Sequence, residues 1–245
     1  MSTALAQLRQ QLAAILAPAR AGEPALSTGI AALDGALQGG VPRGRVTELV
    51  GMQGSGTTTL VRRLVETTAT LPGAWVAYVD ATRTLAPRDW AHLGACGVWM
   101  VRPREPARAA WCADVLLRSG AFALVVLDGA PPMTGPVAVR LDRLAREQDV
   151  ALLVRRDLPT AGSAPATLPS ALPSALPSAL RLRVAPARAP ERLLVQVERG
   201  GAPHRVEVGR RVEPPARLLR HEEPADRRGV ARGARGRGGR GRARA

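Results

Sequence analysis

The chain has 245 residues, with 35 basic against 20 acidic side chains and a formal net charge of +15. Every basic residue is arginine, and neither lysine nor asparagine occurs anywhere. This excludes a Schiff-base lysine, a lysine general base and an ordinary phosphate-loop lysine, but not phosphate binding, which arginine and backbone N–H groups also perform.

The only aromatic residues are Trp75, Trp90, Trp99, Trp111, Tyr78 and Phe122. So sparse a set argues against base-stacking RNA modules and oligonucleotide-binding barrels. It also implies a core of Leu, Val and Ala. Cys96 and Cys112 make no disulfide scaffold, so a reducing cytosol is expected. His92, His204 and His221 lack zinc-ligand spacing. No secretory leader is read at the N-terminus. The longest uncharged stretch, residues 158–180, contains five prolines and is not read as a membrane span.

In chain order, residues 2–17 place Leu5, Leu8, Leu12, Ile15 and Leu16 on one helical face. Such a helix packs on its own domain or serves a partner. A linker up to residue 25 leads into the core. Strands are predicted over residues 45–50, 75–79, 97–101, 123–127 and 150–154. Helical spacing follows the first strand at Leu60, Val61, Leu64 and Val65. It recurs over residues 107–118 and at Val137, Val139, Leu141 and Leu144. Strands alternating with helices predict an α/β fold with a central, mostly parallel sheet, its core spanning residues 26–212. Within that core, Leu-Pro-Ser-Ala repeats run from Leu168. Proline at every fourth residue forbids a helix interior or a central strand, so residues 158–180 are read as a low-complexity surface loop. Residues 181–184, 192–197 and 205–208 then alternate as antiparallel strands, with a hairpin turn at Gly200 and Gly201. Residues 213–245 are read as a disordered basic tail.

The loop after the first strand carries the chemistry. Gly51, Gly54, Ser55, Gly56, Thr57, Thr58 and Thr59 follow the phosphate-loop spacing, with Thr57 standing where lysine should follow the second motif glycine. Glycines let successive N–H groups turn toward phosphate, and a helix starting at Thr58 would add its positive dipole end. Thr58 holds the place of the hydroxyl that ligates magnesium. Thr57 offers a hydrogen bond but no cation. Asp128 ends an apolar strand, as the magnesium-associated acid of such folds does.

Around this loop stand Ser27-Thr28-Gly29, Leu33-Asp34, Gly39-Gly40-Val41-Pro42-Arg43-Gly44-Arg45 and a Val-Thr-Glu-Leu-Val-Gly strand ending at Gly51. Together with Ala77-Tyr78-Val79-Asp80-Ala81 and Arg118-Ser119-Gly120-Ala121, they resemble the RecA recombinase core over residues 26–155. Within that superfamily, the Thr-Glu-Leu strand and the lysine-less loop are most similar to the ImuA family. Those are RecA-like accessory proteins of bacterial SOS mutagenesis and translesion DNA synthesis. The departures are specific. The RecA pattern has a water-positioning glutamate where Thr82 stands, and threonine cannot replace a carboxylate base. It has an Asn-Gln pair where Arg155-Arg156 stand. An arginine could stand in for the lysine, and Arg62, Arg63 and Arg83 are nearest in sequence.

The resemblance implies a non-catalytic adaptor, with catalytic residues none and no cofactor required. ATP with magnesium, should it enter the loop, is expected to bind without efficient hydrolysis. The implied partners are an ImuB-type Y-family-like protein, an error-prone C-family DNA polymerase and RecA itself, in the bacterial cytoplasm at the nucleoid. Two alternatives stay open: a weak DNA-dependent ATPase of the recombinase superfamily, and a SulA-like inhibitor of cell division. The tail is expected to contact DNA. Arg227, Arg228, Arg232, Arg235, Arg237, Arg240, Arg242 and Arg244 occur there without an acid, and account for more than half of the net charge. They carry no base-reading geometry, so no sequence preference is expected.

Overall fold

Buried apolar residues that alternate between two faces along successive strands demand cover on both sides of a sheet. A computed structural model of the chain describes residues 24–158, 176–189, 191–200 and 204–209 and has this layered form. A short ribbon pairs β1 (Ala25–Leu26) with β2 (Val41–Pro42) around α1 (Ala31–Ala36). The main sheet then follows: β3 (Val46–Met52), β4 (Val76–Asp80), β5 (Val98–Val101), β6 (Leu124–Asp128), β7 (Ala151–Leu158), β8 (Leu180–Pro186), β9 (Arg192–Arg199) and β10 (Arg205–Gly209). Its spatial order is β10-β9-β8-β3-β7-β6-β4-β5. Strands β5, β4, β6, β7, β3 and β8 run parallel, and β9 runs antiparallel to its two neighbours, β8 and β10. The predicted mixed α/β class, with its mostly parallel centre, is the fold observed.

On one face lie α1, α2 (Thr57–Ala69) and a run of 3-10 turns, Pro87–Cys96. They pack Leu33, Leu60, Leu64, Trp90 and Leu93 against Tyr78, Val126, Leu153 and Leu182. On the other, α3 (Ala109–Arg118) and α4 (Gly135–Glu147) pack Ala113, Leu117, Leu141 and Leu144 against Ala77, Val79, Val125 and Val154. Each fully buried leucine stabilises the fold by about 1.5–3 kcal/mol of transfer free energy. The abundance of alanine among these contacts lets helices approach the sheet closely where few aromatics are available.

Several boundaries differ from expectation. Helix α2 begins at Thr57, one residue earlier than the motif suggested. Strand β7 continues past its apolar run through Arg155, Arg156 and Asp157 to Leu158, because β3 pairs with it to Met52. The stretch expected as a surface loop, residues 158–180, begins and ends in strands. Its last Leu-Pro-Ser-Ala unit, residues 176–179, is buried, with Leu176 in the α3/α4 core and the Ala179 N–H donating to the Val46 carbonyl. Proline there costs nothing, since it precedes the strand rather than interrupting one. Strand β8 also pairs parallel to β3, whereas only antiparallel neighbours were anticipated for it. The expected helix over residues 2–17, residues 159–175 and the tail arginines 227–244 lie outside the described residues.

Candidate nucleotide-loop site

Strand β3 delivers the chain to the loop, and the loop turns at once into α2. The Ser55 N–H donates to the Met52 carbonyl at 3.0 Å, closing a tight turn. Gly56 caps α2 with φ +92°, a left-handed conformation that favours glycine, and the Leu193 methyls of β9 press where its Cβ would be. A Cβ at Gly51 would likewise meet Ser55, Thr57 and the Val184 carbonyl. The glycines predicted for close backbone approach are thus held by β8 and β9 as well as by the loop. Ser55 and Thr57 are buried, Thr58 and Thr59 are half-buried, and Gly54 is exposed. A cleft of about 580 Å³ opens here, walled by Gln53, Thr57, Thr58, Thr84, Arg155 and Asp157.

Beneath the loop lies a closed polar network that the sequence reading did not foresee. Parallel pairing of β6 with β7 sets Asp128 beside Arg155. Both residues project to the α2 side of the sheet, following Val126 and Leu153 by two residues. The Arg155 Nε–H donates to Asp128 Oδ1. Its Nη1 donates to Thr57 Oγ1 at 3.0 Å and to Asp157 Oδ1 at 2.7 Å. Tyr78 of β4 donates its hydroxyl to Asp128 Oδ2 at 2.5 Å. Asp128 is fully buried and Arg155 is 7% exposed.

The electrostatics follow from burial and pairing. Burial pushes the Asp128 carboxyl above its ordinary range, against the pull of the Arg155 charge and the Tyr78 hydroxyl. Burial raises the Tyr78 hydroxyl, and the neighbouring Asp128 raises it further, so Tyr78 acts only as a donor. Burial works against the Arg155 charge, but Asp128 and then Asp157 more than offset it and hold the guanidinium protonated.

The arginines nearest in sequence to the loop are engaged elsewhere. Arg62 pairs with Glu66 at 2.8 Å and lies over the Trp90 ring, Arg63 donates to the Gly29 carbonyl, and Arg83 donates to the Pro103 carbonyl at 3.0 Å. The guanidinium that reaches Thr57 comes instead from Arg155, 98 residues further on. Its one available signal was position: Arg155-Arg156 ends a wholly apolar strand, and buried arginines there must find carboxylates. Arg156 points to the opposite face and meets the buried Glu48 at 3.3 Å. Thr82 is exposed and packs against Gly129, with its hydroxyl 3.2 Å from that of Thr84. Asp80 is spoken for structurally: it accepts from the Thr84 and Leu85 N–H groups and pairs with Arg102 at 2.9 Å.

The model of the RecA N-terminal domain matches residues 16–151, more than half of the chain. The chain belongs to the RecA N-terminal domain family. It is 40% identical over 136 residues to Protein RecA of Streptomyces venezuelae, covering 52% of this chain and 36% of that protein. It is 39% identical over 114 residues to Protein RecA of Teredinibacter turnerae, covering 45% of this chain and 33% of that one. The chain thus spans about a third of the length of the curated relatives it matches. Its fold is shared with the RadB recombinase, at a TM-score of 0.60 and 21% identity over 74% of this chain and 94% of that one.

The RecA-family match ends at residue 151, four residues before Arg155. Arg155, Asp157 and the β8–β10 extension that backs the loop all lie beyond it. As the side chains stand, Asp128 and Thr57 beneath the RecA-like loop are already engaged within the protein. Both Asp128 oxygens accept hydrogen bonds from protein groups, and the Thr57 hydroxyl accepts from Arg155. Among the described residues, no cluster of three or more His, Cys, Asp or Glu side chains is arranged to hold a metal ion. No described helix is long and apolar enough to cross a membrane.

A second feature was not anticipated. Trp75, Trp99 and Phe122 meet edge to face, with centroids 5.9 and 5.8 Å apart, and with Val115 and Leu116 they line an apolar cleft of about 420 Å³. The cleft lies at β5, whose outer edge pairs with no strand among the described residues. Trp99 is 53% exposed and Trp111, one turn before Val115 on α3, is 61% exposed.

Proposed function

We propose that this RecA-family chain is a non-catalytic accessory protein of SOS-induced mutagenesis and translesion DNA synthesis. In this reading it is an adaptor of the ImuA type, joining an ImuB-type protein and an error-prone C-family polymerase, with RecA as a further partner. The observation that carries the reading is the state of the loop. The family fold is kept, yet position 57 offers no cation, Thr82 replaces the water-positioning carboxylate, and Asp128 is committed to Arg155 and Tyr78. Removing electrostatic stabilisation of this kind costs about 2.7–4 kcal/mol for a single donor, and here several are missing.

An adaptor needs contact surfaces rather than turnover. The tryptophan-lined cleft beside the β5 edge, which is unpaired among the described residues, supports a protein partner, because large exposed apolar patches mark interaction sites. The arginine tail supports a sequence-independent hold on DNA.

Purified protein is expected to hydrolyse no ATP above background, with or without DNA. Turnover that disappears in Thr58→Ala would refute the non-catalytic part. Co-purification with the damage-response polymerases, together with loss of induced mutation in a deletion strain, tests the adaptor part. An unchanged induced mutation frequency rejects it.

A further inference from the structure

We infer that Arg155 is a resident cation that closes the phosphate loop against magnesium nucleotides and holds its shape in their place. The inference rests on the non-catalytic reading of the loop and supplies a physical cause for it. In the family pattern two positive charges serve this site: a lysine inside the loop and a metal ion near the acid at the end of β6. Here a single guanidinium spans both places. It reaches Thr57 Oγ1, at the lysine position, and Asp128 Oδ1, at the acid. Two strands and the helix start are thereby tied together by one side chain.

The charge balance at the cleft opposes a nucleotide. Arg155 faces Asp128 and Asp157, so one cation meets two carboxylates, and Asp157 lies half-exposed on the cleft wall. A triphosphate would approach an excess of negative charge. A magnesium ion would need Asp128 released, leaving a guanidinium without its buried partner. The magnesium route breaks a buried, hydrogen-bonded ion pair, which is strongly unfavourable unless something replaces it. Tyr78 adds to the barrier from beneath, because its hydroxyl occupies the other Asp128 oxygen. The arginine fork suits this task as lysine would not: it donates in three directions within one plane and does not lose its proton on burial.

The test uses the full chain. In the wild type, ¹⁵N-arginine labelling gives an Arg155 Nε–H resonance, assigned by its loss in Arg155→Gln. That resonance is expected to exchange slowly with solvent and to stay put when MgATP is added. Thermal-shift and calorimetric titrations should give no saturable MgATP binding in the wild type or in Thr57→Lys. The double variant Thr57→Lys/Arg155→Gln should gain binding by at least about tenfold over either parent, with a Kd below roughly 1 mM. Wild-type binding below that concentration, a shifted Arg155 resonance, or a folded double variant that stays blind to MgATP would each overturn the lock. If the double variant does not fold, the wild-type resonance and titration decide. Nucleotide binding without turnover would remove the lock and leave the adaptor role standing, so the two failures are distinguishable.

Discussion

Asp128 and Asp80 end neighbouring strands in register, yet their surroundings assign them different work. Asp80 fastens the turn after β4 through two backbone N–H groups and Arg102. Asp128 anchors the arginine beneath the loop. Asp114 on α3 shows the opposite balance to the buried Asp128. The Arg140 hydrogen bond, against burial, and then the Arg140 and Arg118 charges hold its carboxyl below the ordinary range. A carboxyl with a lowered folded-state pKa contributes stability above its unfolded value, near pH 4, and loses it as pH falls through the folded value. Asp114→Asn is therefore expected to melt below the wild type at pH 7, with the gap closing below about pH 4. Melting temperatures measured from pH 7 to pH 3 check this, and a gap that widens on acidification contradicts it.

The loop and its supports form the decisive element. Its glycine spacing was legible in the sequence because each glycine answers a local backbone demand. Its closure was not legible, because Arg155 arrives from a strand added to the sheet after four others. The same distance hid the role of β9, whose Leu193 presses on Gly56. Gly56→Ala should therefore combine strain at φ +92° with a clash against Leu193, costing roughly 1–3 kcal/mol in urea unfolding. Adding Leu193→Ala should relieve the clash and leave the strain. A double variant no better than additive would show that the contact is unimportant. Helical spacing over residues 107–118 predicts α3, and its buried side carries Ala113 and Leu117. Its exposed Trp111 and Val115 gain meaning from the position of β5 at the edge of the sheet formed by the described residues.

For the whole molecule, the charge divides between a folded core and a chain end. Within the core, arginines are largely paired with carboxylates, as in the Arg156–Glu48–Arg181 and Arg183–Glu198 contacts across β7, β3, β8 and β9. Residues 227–245 hold eight arginines without an acid. If six to eight of them meet phosphates, DNA affinity should fall by about 10³–10⁵ between 50 and 200 mM salt. A chain ending at Asp226 should lose most low-salt DNA binding while keeping its melting temperature. Fluorescence anisotropy with a random-sequence duplex measures this, and unchanged binding would place the DNA contact elsewhere.

The sequence by itself determined the layered α/β architecture, since apolar runs of strand length alternating with helical stripes admit few arrangements. It also determined what the loop lacks, because a missing lysine and a threonine at 82 can be read without coordinates. It did not determine what replaced them. Nearness in the chain pointed to Arg62, Arg63 and Arg83, whereas strand order and register brought Arg155 to Asp128 and Thr57. Local chemistry is written in adjacent residues, but a side chain's partner across a sheet is set by pairing between distant strands. Only the tertiary structure could decide that the phosphate loop already holds a cation of its own.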